Sequence, residues 1–332
     1  MNDRSVSVLE KYDIEVLRSW KGRGAILCET KTGIKILKEY KGNEQRLELQ
    51  EKLLKAIKDR GYTGVEELVR TKEGELAVKD EDMASYCLKD YSQGRECNSK
   101  DLGECREALE QLARLHRISH LPWLAKEHQL SPFRLSDQLE KHNRELKKAR
   151  RFLKEKSQKT DFERLLNRHY DFFYEKAKRV FEECCKTEKE VGESAAEQEK
   201  IFCHGDFQHH NILFTRDQIF MINFEKFTLD SPARDLSLFF RKIMEKNNWS
   251  EGWGQSMLNA YEKNRKLSQE EKLDLYYRLS YPEKFWKIVN FYYNSSKVWI
   301  PGRNQEKLEK LLKQEEEKNH YLEQNFLQWV LH

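Results

Sequence analysis

The segment His204-Gly205-Asp206-Phe207-Gln208-His209-His210-Asn211 combines residue types and a spacing that suit phosphoryl transfer. In transfer to an alcohol, an aspartate accepts the hydroxyl proton, and an amide five residues later can turn back to a metal ion on the nucleotide phosphates. Asp206 and Asn211 stand at that separation. Ile222-Asn223-Phe224-Glu225 follows closely. Asn223 and Glu225 carry oxygen donors two residues apart, and so share one face if the chain there is a strand. The competing explanation is a loop in which these residues meet by chance.

Other parts of a phosphotransfer site occur upstream. Lys38, on a third strand, is a candidate to hold phosphates, with a carboxylate of the following helix, best Glu51 and next Glu48, to hold the lysine. Alone this pair is a weak signal, because any strand-helix unit in so charged a chain offers one. Lys21-Gly22-Arg23-Gly24 suits backbone contacts to phosphates and, equally, a plain hairpin turn. Leu88-Lys89-Asp90-Tyr91 is placed as a hinge, whose main chain at Lys89, Asp90 and Tyr91 would meet an adenine beneath strand residues such as Ile26 and Ile36. His209 and His210 read as structural or pocket-lining, since adjacent side chains on extended chain point apart.

These residues need elements to position them. The first ninety or so residues read as strands around one helix: strands over 12–20, 24–29, 33–40, 66–71, 75–79 and 85–91, and a helix over 43–60. Asn43 is its expected cap, Leu47, Leu54 and Ile57 its apolar face, and Gly61 its stop. From Ser99 the pattern is helical, with Ala108, Leu112, Leu115 and Ile118 at helical spacing. A charge-laced helical region follows over 132–189, with Phe152, Leu165, Leu166, Phe172, Phe173, Val180 and Phe181 as its apolar positions, then a loop over 190–200. Two or three short strands are expected within 201–241, and helices over 282–299 and 305–329. The aromatic and lysine mixture from Trp286 to Trp299 reads as a packed helix in preference to a nucleic-acid platform, because Phe285, Ile288, Val289, Tyr292, Tyr293 and Ser296 keep helical spacing.

Composition narrows the class. A chain of 332 residues makes about two domains or one two-lobed unit. Its 61 Lys and Arg against 57 Asp and Glu leave only +4, which argues against nucleic acid as a partner. With 36% charged residues and a mean hydropathy of −0.91, the surface must be very wet. Seventeen Phe, 14 Tyr and 7 Trp nevertheless argue against disorder. No apolar run approaches a membrane span, and the N-terminus lacks a basic-then-apolar signal, so cytoplasmic synthesis without a signal peptide is expected. The seven cysteines are scattered without a CxxC pair, as expected of reduced, mostly buried thiols.

The order of lobe, hinge, HGD loop and NFE segment resembles the aminoglycoside phosphotransferase and choline kinase superfamily. Within it, Gly94-Arg95-Glu96-Cys97, Leu112-Ala113-Arg114-Leu115-His116, HGDFQHHNILF, RDLSLFFRKIMEKNNW and NFYYNSSKVWIPGRNQEKL look like the CotS-type spore coat proteins. The resemblance spans nearly the whole chain. It implies an α+β, two-lobed protein-kinase-like fold. The expected parts are a sheet-plus-helix lobe at 1–88, a hinge at 89–98 and a mainly helical lobe at 99–332, with the phosphotransferase-like loop at 201–236 and a helical insertion at about 123–200 near the acceptor. Asp206 would be the catalytic base and Asn211 a magnesium ligand, with Asp235 bracing the loop. Asn223 falls where the superfamily has a metal-binding Asp; an amide ligates Mg²⁺ without negative charge, and Glu225 is the candidate substitute. ATP and Mg²⁺, weakly bound, are the implied cofactors. The implied partners are other spore coat proteins and a small hydroxyl-bearing acceptor, and the implied location is the spore coat. Three functions stay open: a coat component with weak or no transfer activity, an active ATP-dependent phosphotransferase, and a nucleotide-binding switch without turnover.

Overall fold

A computed structural model describes residues 7–22, 24–192, 200–294 and 301–330. Most of the expected 190–200 loop, Arg23 of the KGRG turn, and Ser296 to Trp299 of the aromatic segment lie outside them.

The N-terminal part is an antiparallel sheet with one helix. Strands β1 (Val16–Gly22), β2 (Ala25–Thr30) and β3 (Gly33–Glu39) form a meander. The second turn closes with Gly33 at φ 114°, a conformation that glycine adopts without strain. Helix α1 (Glu44–Asp59) is capped by the Asn43 side chain, which accepts from the Arg46 N–H, and it buries Leu47, Leu53, Leu54 and Ile57. Strand β6 (Ser85–Asp90) pairs with β3 on one side; β4 (Leu68–Val69) and β5 (Val78–Lys79) share its other side. That sharing shortens both to two residues, against the longer strands expected at 66–71 and 75–79. The first strand also starts later than expected: Val8–Lys11 is a 3₁₀ turn, and Tyr12 is buried and bridges Thr71.

The rest is mainly helical. Strand β7 (Arg95–Glu96) joins β9 (Ile212–Phe214) and β10 (Ile219–Met221) in a second small sheet, and β8 (Ile201–Cys203) pairs with β11 (Thr228–Asp230) in a third. The helices are α2 (Leu102–Ile118), α3 (Pro122–Glu127), α4 (Leu135–Glu155), α5 (Asp161–Val191), α6 (Ala233–Met244), α7 (Glu251–Glu262), α8 (Gln269–Ser280), α9 (Glu283–Asn294) and α10 (Pro301–Val330). The charge-laced region breaks in two where Thr160 and Glu163 form a reciprocal capping box that starts α5.

Two cores result. One surrounds the HGD loop with Leu109, Leu112, Phe207, Phe224 and Phe239. The other joins α4 and α5 to α9 through Phe162, Tyr170, Phe173 and Phe285, with the Phe173 and Phe285 rings stacked at 4.5 Å. The expected apolar positions Phe152 and Phe172 are instead 55% exposed. Each lies off its helix's buried stripe, which in α5 runs Leu166, Tyr170, Phe173, Ala177, Val180 and Cys184.

Phe285→Ala should cost about 3–5 kcal/mol in urea unfolding, the range for deleting a buried aromatic ring. Phe172→Ser should stay within about 1 kcal/mol, because its ring is mostly in water.

Candidate functional site

The HGD loop is fixed from below. Gly205 has φ 77°, and a Cβ there would sit 1.9 Å from the Lys226 carbonyl oxygen, so only glycine fits. The N–H groups of His204 and Gly205 donate to the Asp235 carboxylate at 2.7 and 2.8 Å. Asp235 is fully buried in the first turn of α6. His116, also buried, lies 3.2 Å from Asp235 through Nε2 and 2.8 Å from the Tyr261 hydroxyl through Nδ1. Burial pushes the His116 pKa down, favouring the neutral ring. Burial works against the Asp235 charge as well, but His116 and the backbone donors outweigh it and hold the carboxyl below its ordinary range. The network therefore assigns the His116 proton to Nε2, donated to Asp235, while Nδ1 accepts from Tyr261. His116, Cys203 and Asp235 lie close enough to hold a metal, within 4.8 Å of one another. The ring nitrogens and carboxylate oxygens are already engaged, and burial drives the Cys203 pKa well up, so this cluster is a brace.

Above the brace, the oxygen donors of the loop's Asp206 and Asn211 are taken by protein partners. Asp206 accepts from Lys226 Nζ at 2.9 Å and from the Gln208 amide. Burial opposes the Asp206 charge, but these two bonds outweigh it and lower its pKa. Asn211 donates to the Asp206 carbonyl at 2.8 Å and accepts from the Asn223 amide at 2.8 Å. Asn223 Oδ1 accepts from Lys38 Nζ at 2.8 Å. Glu225 Oε1 accepts from Lys38 at 3.1 Å and from Lys89 at 2.7 Å, and Lys89 reaches Glu66 at 3.1 Å. Glu66 in turn accepts the N–H groups of Asn223 and Phe224 at 2.8 and 2.9 Å. Burial disfavours the Glu225 charge, yet Lys89 and Lys38 draw its pKa down to about 2.

The structure thus gathers Lys38, Asp206, Asn211, Asn223 and Glu225 into one neighbourhood and departs from the sequence reading elsewhere. Asn223 is in the left-handed region and 224–226 is a 3₁₀ turn, so Asn223 and Glu225 do not share a strand face. Glu51 and Glu48 do not hold Lys38. Both bind Arg70, whose Nε lies 2.8 Å from Glu51 and whose terminal nitrogen lies 2.8 Å from Glu48. A planar guanidinium can fork between two carboxylates one helical turn apart. Lys89 pairs with Ile36 and Leu68 in the sheet, and its side chain is 2% exposed, so it is a buried cation rather than an open hinge residue. The N–H of Asp90 donates to Glu67 O and that of Tyr91 to Ile34 O, so neither is offered to the cleft, and the Asp90 side chain binds Lys35. Ile26 packs with Leu37 on the opposite sheet face; Leu27, opposite Ile36 in the ladder, shares the face of Lys38.

Glu66 and Lys226 are not singled out by the sequence reading, which takes Lys89 only for its main chain. The available signal was a lysine amid the apolar run of β6 and another directly after NFE. All seven cysteines are free, six of them buried. No described helix is long and apolar enough to cross a membrane.

The family model described as spore coat putative kinase YutH matches residues 5–325, and the chain belongs to that family. Spore coat protein S of Bacillus subtilis (strain 168) is 22% identical over 317 residues, 91% of this chain and 86% of that protein. An aminoglycoside phosphotransferase from Alicyclobacillus acidocaldarius superposes with a TM-score of 0.84 at 18% identity, covering 98% of this chain and 96% of the other. A spectinomycin phosphotransferase, APH(9)-Ia, solved with ADP and spectinomycin, gives 0.62 at 14% identity over 94% and 92%. A microcompartment-associated aminopropanol kinase gives 0.60 at 14% over 92% and 93%. The chain is a CotS-type protein with the two-part, kinase-like α+β fold.

Because the Glu225 pKa is lowered by folding, its ion pairs stabilise the protein fully above about pH 4.5, and the benefit disappears as pH falls toward 2. Glu225→Gln should therefore cost about 2–3 kcal/mol at pH 7. Denaturant midpoints of the two proteins should converge between pH 4.5 and 2; a gap that stayed constant there would contradict the assignment.

Proposed function

We propose that this protein is a spore coat component that uses the kinase-like fold as an assembly framework, with phosphoryl transfer weak or absent. The observation that carries this reading is the condition of the oxygen donors that a nucleotide-bound magnesium requires. Mg²⁺ asks for hard oxygen ligands in near-octahedral geometry at about 2.0–2.1 Å, with carboxylates supplying charge. Of Asn211, Asn223 and Glu225, the two amides are bonded to each other, and Asn223 Oδ1 also takes Lys38. Glu225, the one carboxylate, already carries two ammonium groups. This donor set does not fit the metal. Lys38 and Lys226 are the cations left to meet the phosphates of a weakly bound ATP, and Asp206 must give up Lys226 before it can take a proton from an acceptor.

The named coat protein among the relatives and the family's own description support other coat proteins as partners and the coat as the location. An active phosphotransferase acting on a small hydroxyl-bearing acceptor is the second reading. Its support is the retained HGD loop, with Asp206 facing the cleft side of the brace and Asn211 bonded to its carbonyl. Nucleotide binding without turnover lies between the two.

Melting scans with and without Mg·ATP, beside a phosphate-release assay, separate these readings. The natural protein should shift by less than about 1 °C at millimolar Mg·ATP, whereas a ligand at 100 times its Kd adds about 2.7 kcal/mol. Asn223→Asp should produce a magnesium-dependent shift. Turnover at about 1–100 per second, abolished by Asp206→Asn, would overturn the structural reading in favour of the enzyme.

A further inference from the structure

Away from the Asp206 site, α5, the 248–251 turn between α6 and α7, and α10 enclose an open groove of about 1050 Å³. Its lining includes five carboxylates, Glu251, Glu315, Glu316, Glu317 and Glu323, and no lysine or arginine. That is a strong local imbalance in a chain whose net charge is +4. The floor is aromatic, with Phe173, Trp249 and Tyr321 buried, and Phe172 stands at the rim 55% exposed.

Acidic residues on a helix face are ordinarily just solvated, but Glu315 is not at the surface. Its side chain is 9% exposed, its Oε1 binds Lys176 Nζ at 2.6 Å, and its Oε2 is buried without a hydrogen-bond partner. A buried carboxylate oxygen lacking a donor is unfavourable unless an incoming group supplies one. The groove thus sets a buried carboxylate short of one donor beside an excess of negative charge and an exposed aromatic ring.

We infer that this groove docks a Lys- and Arg-rich segment of a partner protein, with cationic heads on the glutamates and an apolar side chain against Phe172 and the aromatic floor. Size and openness favour a polypeptide over a small cation, since small-molecule pockets run to about 1,000 Å³ and enclose most of the ligand. Charge complementarity sets the sign of the partner, and the aromatic ring adds apolar area that a solvated face would lack. The inference is independent of whether the HGD loop transfers phosphate.

The test uses the full-length protein and a synthetic capped peptide, Lys-Lys-Phe-Lys-Lys-Leu-Lys-Lys, followed by calorimetry and by the fluorescence of the protein's tryptophans, Trp249 among them. Binding should be micromolar in 50 mM salt and fall by about tenfold or more in 300 mM. The double variant Glu316→Lys with Glu323→Lys, both exposed in the fold, should weaken it by about tenfold or more. Phe172→Ser should weaken it by roughly fivefold. Glu73→Lys, on an exposed turn distant in sequence, should leave it unchanged. Absence of binding at low salt would overturn the proposal, as would equal weakening by Glu73→Lys, which signals non-specific attraction. Spermidine binding as tightly as the peptide would replace the polypeptide with a small polyamine and overturn it too.

Discussion

The site hangs on one buried ammonium group. Lys89 lies in β6, an interior strand of the N-terminal sheet, 2% exposed, between Glu66 and Glu225. A lone lysine at that depth would lose its proton or unfold the strand around it. Two carboxylates instead drive its pKa upward against burial, so it stays charged. The two carboxylates reach it from different parts of the chain: Glu66 also clamps the backbone of Asn223 and Phe224, and Glu225 also holds Lys38. Removing one member would leave a buried charge short of a partner, which costs more than the net worth of an ion pair. Sheet, helical part and loop are therefore coupled by charge, and not only by apolar packing.

Below that coupling, Asp235 does by hydrogen bonding what Lys89 does by charge. Its two oxygens take the two consecutive N–H groups that precede Asp206. Gly205 permits the tight turn because any side chain would collide with Lys226 O. Asp206 is thus presented by a tight backbone turn that the Asp235 carboxylate holds. The identity of residues 204, 205 and 235 is constrained by this turn whether or not a reaction follows.

Local rules made part of this arrangement legible. Asn43 as a cap, the apolar stripe of α1 and the HGD loop between short strands rest on spacing and backbone preference, which act within a few residues. Partner choice among charges does not. Lys38 has carboxylates within reach of its strand and of the helix after it, and nothing local tells that Arg70 will take Glu48 and Glu51 while Lys38 crosses to Glu225. Phe152 and Phe172 depart for a related reason: helical periodicity identifies an amphipathic helix, but in α4 and in α5 it cannot say which near-stripe aromatic is left in water. Lys89 reads as hinge because its segment ends the small lobe, whereas one partner of its side chain, Glu225, is 136 residues away.

The same charge count bears on the metal. On the cleft side of the brace three carboxylates, Glu66, Asp206 and Glu225, face three ammonium groups, Lys38, Lys89 and Lys226, while the Asp235 charge below is taken up by two backbone N–H groups and His116. A site that concentrates a divalent cation needs an uncompensated negative charge, because the ion's own hydration is strong and amide oxygens compete with it poorly. An aspartate at 223 would supply that charge, giving four carboxylates against three ammonium groups. With Asn223 the loop is electrostatically complete. The amide at 223 thus belongs to a set in which three lysines balance three carboxylates, and the groups that would otherwise grip phosphate and metal serve to hold one another.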